Sequence, residues 1–213
     1  MIMKKLLILG AGGFGREVYS WLSDWCEKNN DWKISGFIDD NLTALEGFND
    51  IPPVLFRISD YQPSPDEFIV CAIGSPQIKK SITQDLTSKN ANFFTLQHPS
   101  AIVGKRVTIG IGTVICPNAV ITTDVSIGKF VTINAASTVG HDASIGDYST
   151  LSGHCDVTGG AKLDECVFMG SHAVVLPKTY VGSNACIGAG SVALRKVAPG
   201  STVFGVPAKR ISG

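Results

Sequence analysis

From position 103 onward the apolar positions of the chain are locked to a period of six. Val103, Ile109, Ile115, Ile121, Ile127, Ile133, Val139, Ile145, Leu151, Val157, Leu163, Met169, Val175, Val181 and Ile187 follow one another without a slip. Four residues after each comes a small or modest side chain, from Val107 and Thr113 through Cys155 to Ser191. Glycine often stands directly after the apolar residue, as at Gly104 and Gly110. A hexad of this kind is one short strand plus a corner, and three hexads close a triangular coil. Coils stack at roughly 4.8 Å, so each backbone bonds to the coils above and below. One unit alone buries nothing; stacking builds the core. Fifteen units predict a parallel β-helix of five coils, with glycine tolerating the corner dihedrals. An ordinary β-sandwich needs turn signals at roughly 8–12-residue spacing and does not hold a strict six.

The first 96 residues follow a different pattern. Lys4–Leu9 reads as a short apolar strand, Gly10–Gly15 as a glycine turn, and Arg16–Cys26 as a helix with Val18, Leu22 and Trp25 on one face. Ile34–Ile38 is the next strand, ending at Asp39-Asp40. A connection rich in proline (Pro52, Pro53, Pro63, Pro65) leads to a strand at Phe68–Ile73, a helix near Gln77–Ser88 and a last strand at Phe93–Leu96. Strand–helix alternation predicts a small α/β domain with a parallel sheet. The expected division is therefore a Rossmann-like α/β domain over 1–96 and a β-helix over 97–213.

Composition narrows the function classes. Charged residues make up 17% and the formal net charge is zero, so no electrostatic footprint points to nucleic acid or an anionic membrane surface. No apolar run approaches the roughly 18 residues of a membrane span. The opening Met1–Gly10 has an apolar stretch of only Leu6 to Leu9, too short for a secretory leader, and reads as a strand. Six cysteines show no C-x-x-C pair and read as reduced, buried or half-buried thiols of a cytoplasmic protein. No metal is expected.

Chemistry concentrates at the corners of the helix. His141-Asp142 joins an imidazole, which titrates near neutral pH, to a carboxylate that can fix its tautomer. Residues 18 apart occupy equivalent places on successive coils, which puts Gly159 above His141 and Thr123 below it. Gly159 is either a simple corner glycine or a backbone N–H donor for an oxyanion. A second column, Pro117, Ala135, Gly153, Ser171 and Ala189, is small throughout. It reads as a smooth groove for an extended pantetheine arm or as a packing face. The neighbouring column holds Asn118, Ala136, His154, His172 and Gly190. Two stacked imidazoles without carboxylate or thiolate are a poor metal set, and Asn118 is a candidate hydrogen-bond partner for a sugar. In the first domain Gly10, Gly12 and Gly15 match G-x-G-x-x-G, with Asp39-Asp40 at the end of the next strand. Alone that suggests dinucleotide binding, yet fewer than a hundred residues hold only about half of such a fold.

Taken together, several segments carry a resemblance over the whole chain. They are the Gly10-Ala-Gly-Gly-Phe-Gly15 turn, Asp39-Asp40, Ala72-Ile-Gly74, His98-Pro-Ser-Ala101, Gly140-His-Asp142 and Gly205-Val-Pro-Ala-Lys209. The chain resembles the hexapeptide-repeat nucleotide-sugar N-acetyltransferases of the bacillosamine, perosamine and viosamine type, with sialic acid O-acetyltransferases close by. The resemblance implies a left-handed β-helix, a homotrimer, acetyl-CoA as cosubstrate and a nucleotide-linked 4-amino-4,6-dideoxy sugar as acceptor. It gives His141 the role of general base, supported by Asp142, and places cofactor contacts at Ser171 and Ala189, beside Gly153. It turns the first domain into a nucleotide-sugar binder. The diphosphate would lie near Gly12, Gly13 and Phe14, the base or ribose against Asp39 and Asp40, and Gly74 and Ser75 would flank the site. Some relatives carry a further cofactor-contacting histidine where this chain has Thr150. O-acetylation of a sugar by the same base is the alternative activity.

Overall fold

The computed structural model describes residues 3–212; Met1 and Ile2, where the opening segment starts, lie outside them. The chain divides into two compact units. One comprises residues up to Gly74 with Ile78–Thr95, the other Ser75–Gln77 with the residues from Leu96 on.

In the first unit, β1 (Lys4–Leu9) is followed by α1 (Gly13–Glu27), β2 (Trp32–Ile38), β3 (Val54–Phe56), β4 (Glu67–Cys71), α2 (Pro76–Ser88) and β5 (Asn92–Phe93). The sheet is parallel throughout, in the order β3-β2-β1-β4-β5. From β1 the chain runs outward to β3, then crosses to β4 on the other side of β1. The carboxyl ends of β1 and β4 therefore border the topological switch point, the place where open α/β sheets bind ligands. Leu6, Leu7, Ile8 and Leu9 are fully buried, as are Val18 and Leu22 from α1. That burial explains why β1 reads as an unbroken apolar run rather than an alternation. Trp25 is only half-buried and packs edge-on against Trp32 and Phe94. The proline-rich connection holds β3, a strand too short for residue pattern alone to separate from it.

The second unit is a parallel β-helix. A two-residue strand recurs every six residues, from β7 (Ile102–Val103) to β22 (Val192–Ala193), and those up to Val174–Val175 pair in parallel with the strand 18 residues on, as Val139 does with Val157. Three sheets form the three faces. Of the fifteen apolar repeat positions, those from Ile115 to Ile187 are 0–3% exposed, while Val103 and Ile109 at the open end are half-buried. Buried hydroxyls at the small positions keep their hydrogen bonds. Ser137 donates to the Ser152 carbonyl at 2.9 Å and accepts the Cys155 N–H at 3.1 Å.

Two readings need correction. The expected strand at Phe93–Leu96 is two strands in two units: β5 pairs with β4, whereas β6 (Leu96–Gln97) pairs with Val114–Ile115 as the first rung of the β-helix. The helix thus starts one hexad earlier than the apolar repeat shows. At the other end β23 (Thr202–Phe204) pairs with Cys186–Ile187, and β24 (Lys209–Ser212) covers it antiparallel, which breaks the strict period and closes the sheet edge. The corner dihedral is also not carried by the glycine after each apolar residue. Left-handed backbone falls two residues later, mostly on non-glycines such as Asp124 (φ 59), Phe130 (φ 54), Asp142 (φ 61) and His172 (φ 60). Glycines such as Gly140 answer to close approach instead: a Cβ there would lie 2.6 Å from the Gly159 nitrogen on the next coil.

Candidate active site

His141 and Asp142 form the corner between two faces of the β-helix. The strand Thr138–Val139 enters it and Ser144–Ile145 leaves. The coil below anchors it, since the Asp142 N–H donates to the Thr123 carbonyl at 3.2 Å; above, the Gly160 N–H donates to the His141 carbonyl at 2.7 Å. His141 Nδ1 lies 2.7 Å from Asp142 Oδ2, and both side chains are 67% exposed. A carboxylate accepts, so Nδ1 is the donor, and in the neutral ring Nε2 keeps its lone pair. Nε2 stands over Gly159, where a Cβ would sit 2.6 Å from it and 2.8 Å from Cε1. Glycine at 159 is what gives the imidazole room. Among the described residues no backbone hydrogen bond engages the Gly159 N–H, so a donor adjoins the ring.

The column through Asp142 adds residues that carry no motif of their own. One coil down is Asp124, and two coils down Arg106. The Arg106 Nε and Nη2 donate to Asp124 at 2.5 and 2.8 Å, and Nη2 also reaches Thr123 Oγ1 at 3.1 Å. Hydrogen bonding from Arg106, then from Thr123, holds the Asp124 carboxyl down at about 2, with a smaller contribution from His141. Sequence reasoning missed this pair, although stepping 18 residues back from Asp142 finds both.

Gly153, Ser171, Ala189 and Asn118 belong to a different corner, at the other edge of the face that contains Thr138–Val139. A Cβ on Gly153 would meet only the Ala135 carbonyl oxygen, at 3.6 Å, and Ser171 and Ala189 are exposed. Pro117, Ala135 and Gly153 of the same column are half-buried. Asn118, the candidate sugar contact, is not brought together with His141 within one chain; its backbone N–H donates to Ser100 Oγ at 3.0 Å. Next to the groove, His154 and His172 stack face to face at 4.8 Å. Among the described residues no group of three or more His, Cys, Asp or Glu is placed to hold a metal ion. Burial pushes the Cys155 thiol up to about 11, so it is no nucleophile at neutral pH. A cavity of about 460 Å³ lies among Ala193–Ala198 and Pro207–Arg210; none of the predicted site residues lines it.

In the first unit the glycine loop sits at the switch point. Gly10 (φ 101) approaches Ala72, and a Cβ on Gly15 would overlap the Gly10 carbonyl oxygen, whereas Gly12 and Gly13 face open space. Gly12 caps α1 without any side-chain hydrogen bond, which leaves the N–H groups of the first turn available to an anion. Phe14 turns its ring edge-on to Trp21 at 6.3 Å. Asp39 ties β2 to the loop, because Oδ2 accepts the Ala11 N–H at 2.7 Å and Oδ1 the Asn41 N–H at 2.9 Å. Asp40 accepts the Ile58 N–H at 3.0 Å. Gly74, open where a Cβ would point, follows β4 in this unit, while Ser75 groups with the second. Arg16, one position past the glycine motif, lies over the Phe48 ring at 4.6 Å, a contact that no sequence pattern marks.

Comparison with known proteins finds relatives of the same fold. Residues 5–86 match the PglD N-terminal domain family. A stretch of 117 residues is 31% identical to UDP-N-acetylbacillosamine N-acetyltransferase of Bacillus subtilis (strain 168), covering 53% of this chain and 51% of that protein. That match spans about half the length of the curated relative. The fold likeness covers nearly the whole chain. WeeI from Acinetobacter baumannii AYE superposes with a TM-score of 0.86 at 26% identity, covering 98% of this chain and 100% of WeeI. The acetyltransferase domain of PglB from Neisseria gonorrhoeae FA1090, solved in complex with acetyl coenzyme A, gives 0.87 at 28% identity over 98% of this chain and 99% of its own. In its repeat, in the glycine loop on its parallel sheet and in its overall likeness to these proteins, the chain is similar to hexapeptide-repeat sugar N-acetyltransferases.

Proposed function

We propose that the chain transfers the acetyl group of acetyl-CoA to the 4-amino group of a nucleotide-linked 4-amino-4,6-dideoxy sugar. The observation that carries this reading is the His141 corner: Nδ1 is committed to Asp142 at 2.7 Å and Nε2 stands over a glycine. The sugar amine attacks the thioester carbonyl while Nε2 takes the proton of the nitrogen. Asp142 stabilises the imidazolium that forms. The Gly159 N–H donates to the developing oxyanion. Collapse of the tetrahedral intermediate breaks the carbon–sulfur bond, and the imidazolium returns its proton to the departing thiolate of CoA. Attack is direct, since the buried Cys155 thiol is pushed up to about 11 and no cysteine shares the His141 column.

The column of small residues Gly153, Ser171 and Ala189 suits the pantetheine arm, and the PglB domain binds acetyl coenzyme A. That column and His141 sit on different corners of one chain. A homotrimer, in which one protomer's groove faces its neighbour's base, unites them. In the first unit, Gly12, Gly13 and the Phe14 N–H hold the diphosphate at the start of α1, Asp39 and Asp40 face the nucleoside, and Gly74 flanks it. Asn118 remains a sugar contact in the same sense, offered from a neighbouring protomer. Substrates of this kind place the enzyme in the cytoplasm; no helix among the described residues is long and apolar enough to cross a membrane. The test is CoA-thiol release from acetyl-CoA with UDP-, GDP- and dTDP-linked 4-amino sugars. Release with one of them, lost in His141→Ala, is expected; no release with any would overturn the reading.

A further inference from the structure

The charge around His141 does not end at Asp142. Asp124 repeats the left-handed corner conformation of Asp142 one coil below (φ 59 and 61), and Arg106 (φ 57) repeats it again. The fork of Arg106 closes on Asp124 and on Thr123 Oγ1. The Thr123 carbonyl in turn accepts the Asp142 N–H at 3.2 Å. The pair is thus built into the backbone that carries the dyad, and Asp124 and His141 interact electrostatically.

We propose that Arg106 and Asp124 are positioning residues for His141: Asp124 supplies a second negative charge toward the imidazolium, and Arg106 fixes that carboxylate and partly offsets it. This rests on His141 as the proton acceptor. By coil register the charged residues around His141 are Asp142 on its own corner, Asp124 and Arg106 on the coils below, and Lys105 two coils beneath it. From above comes Lys178, whose stem lies over Gly160, where a Cβ would be 3.3 Å from Lys178 Cγ. Thr123 and Gly159, directly below and above, are uncharged.

Removing either partner moves the imidazole in opposite directions. Asp124→Asn deletes a negative charge and leaves Arg106 unpaired, so His141 holds its proton less well. Arg106→Met leaves the carboxylate unopposed, so His141 holds it better. Both effects shrink in high salt. The double variant should return close to the parent, and Arg106→Lys should stay there. A merely structural pair would give no such sign reversal.

The experiment is an NMR titration of the His141 ring in the full chain, assigned by its loss in His141→Gln, alongside the acidic limb of kcat/KM. Opposite shifts restored in the double variant are expected. No shift, or shifts of one sign in both single variants, would overturn the proposal. If the ring shifts as stated while the kinetic limb stays put, the pair's effect on His141 stands and the assignment of His141 as the base falls instead.

Discussion

Gly159→Ala separates the geometry of the site from the stability of the fold. Gly159 does not use left-handed backbone, so alanine is compatible with its dihedrals, and such a change favours folding by about 0.4–1 kcal/mol through the unfolded chain. Its Cβ, however, would lie 2.6, 2.8 and 3.2 Å from His141 Nε2, Cε1 and Cδ2. The ring is exposed and can swing away, at an off-rotamer cost of about 0.5–1.5 kcal/mol and with loss of the 2.7 Å bond to Asp142. The two terms nearly cancel, so the melting temperature should stay within a few degrees of the parent. Catalysis should not survive so well. A displaced base forfeits much of the roughly 10²–10⁴-fold that general-base catalysis contributes, and kcat should fall by about 10- to 10³-fold. Gly160→Ala is the matched control. Gly160 has φ +69, so alanine there costs about 1–2 kcal/mol of stability while leaving the His141 ring untouched. Calorimetry and steady-state acetyl transfer on both variants give the test. Parent-like kcat in Gly159→Ala would refute the placement of the base over that glycine.

Three further outcomes follow from the same geometry. His141→Ala should lower kcat by about 10²–10⁴ with little change in substrate affinity, and Asp142→Asn should cost less because it only orients the ring; steady-state kinetics on both decides. Ser171→Trp should project an indole across the groove, raise the KM for acetyl-CoA steeply and leave nucleotide-sugar binding intact, as calorimetry with each ligand would show. The Asp124 carboxyl is lowered from 3.8 to about 2 by Arg106 first and Thr123 next. A depressed carboxyl contributes stability that is complete above its unfolded value and fades as pH falls toward 2, so Arg106→Met should flatten the melting temperature's dependence on pH between about 4 and 2.

Much of the second unit was legible because its signal is strictly periodic. An interior that admits one large and one small side chain per hexad writes itself into the sequence, and Ile115 to Ile187 are buried as that pattern requires. The ends were not legible for the same reason. Leu96–Gln97 joins the β-helix with Gln97, not an apolar residue, at the repeat position, and the last rung pairs Cys186 with Thr202, two residues short of a full coil. The corner conformation escaped notice because it falls on Arg106, Phe130, Tyr148 and Lys178 as readily as on asparagine or aspartate. Stacking along the coils offsets the local strain there, as in the parallel rings of Phe130 and Tyr148 at 5.6 Å. In the first unit α1 and its glycine loop were readable from spacing. The tie from Asp39 to the Ala11 N–H was not, because it joins residues 28 apart through a backbone group. At the site, stepping by 18 brought Gly159 to His141. The same step applied to Asp142 leads to Asp124 and Arg106, and only the structure made that column matter.

The most direct test is the product itself. The full chain would be incubated with acetyl-CoA and a UDP-, GDP- or dTDP-linked 4-amino-4,6-dideoxy sugar, and the acetylated product treated with hydroxylamine, which cleaves esters and spares amides. A hydroxylamine-resistant N-acetyl sugar is predicted with one of the three nucleotides, absent when His141→Ala replaces the parent. A labile O-acetyl ester, or undiminished N-acetylation by the variant, would contradict transfer to the sugar amine by way of His141.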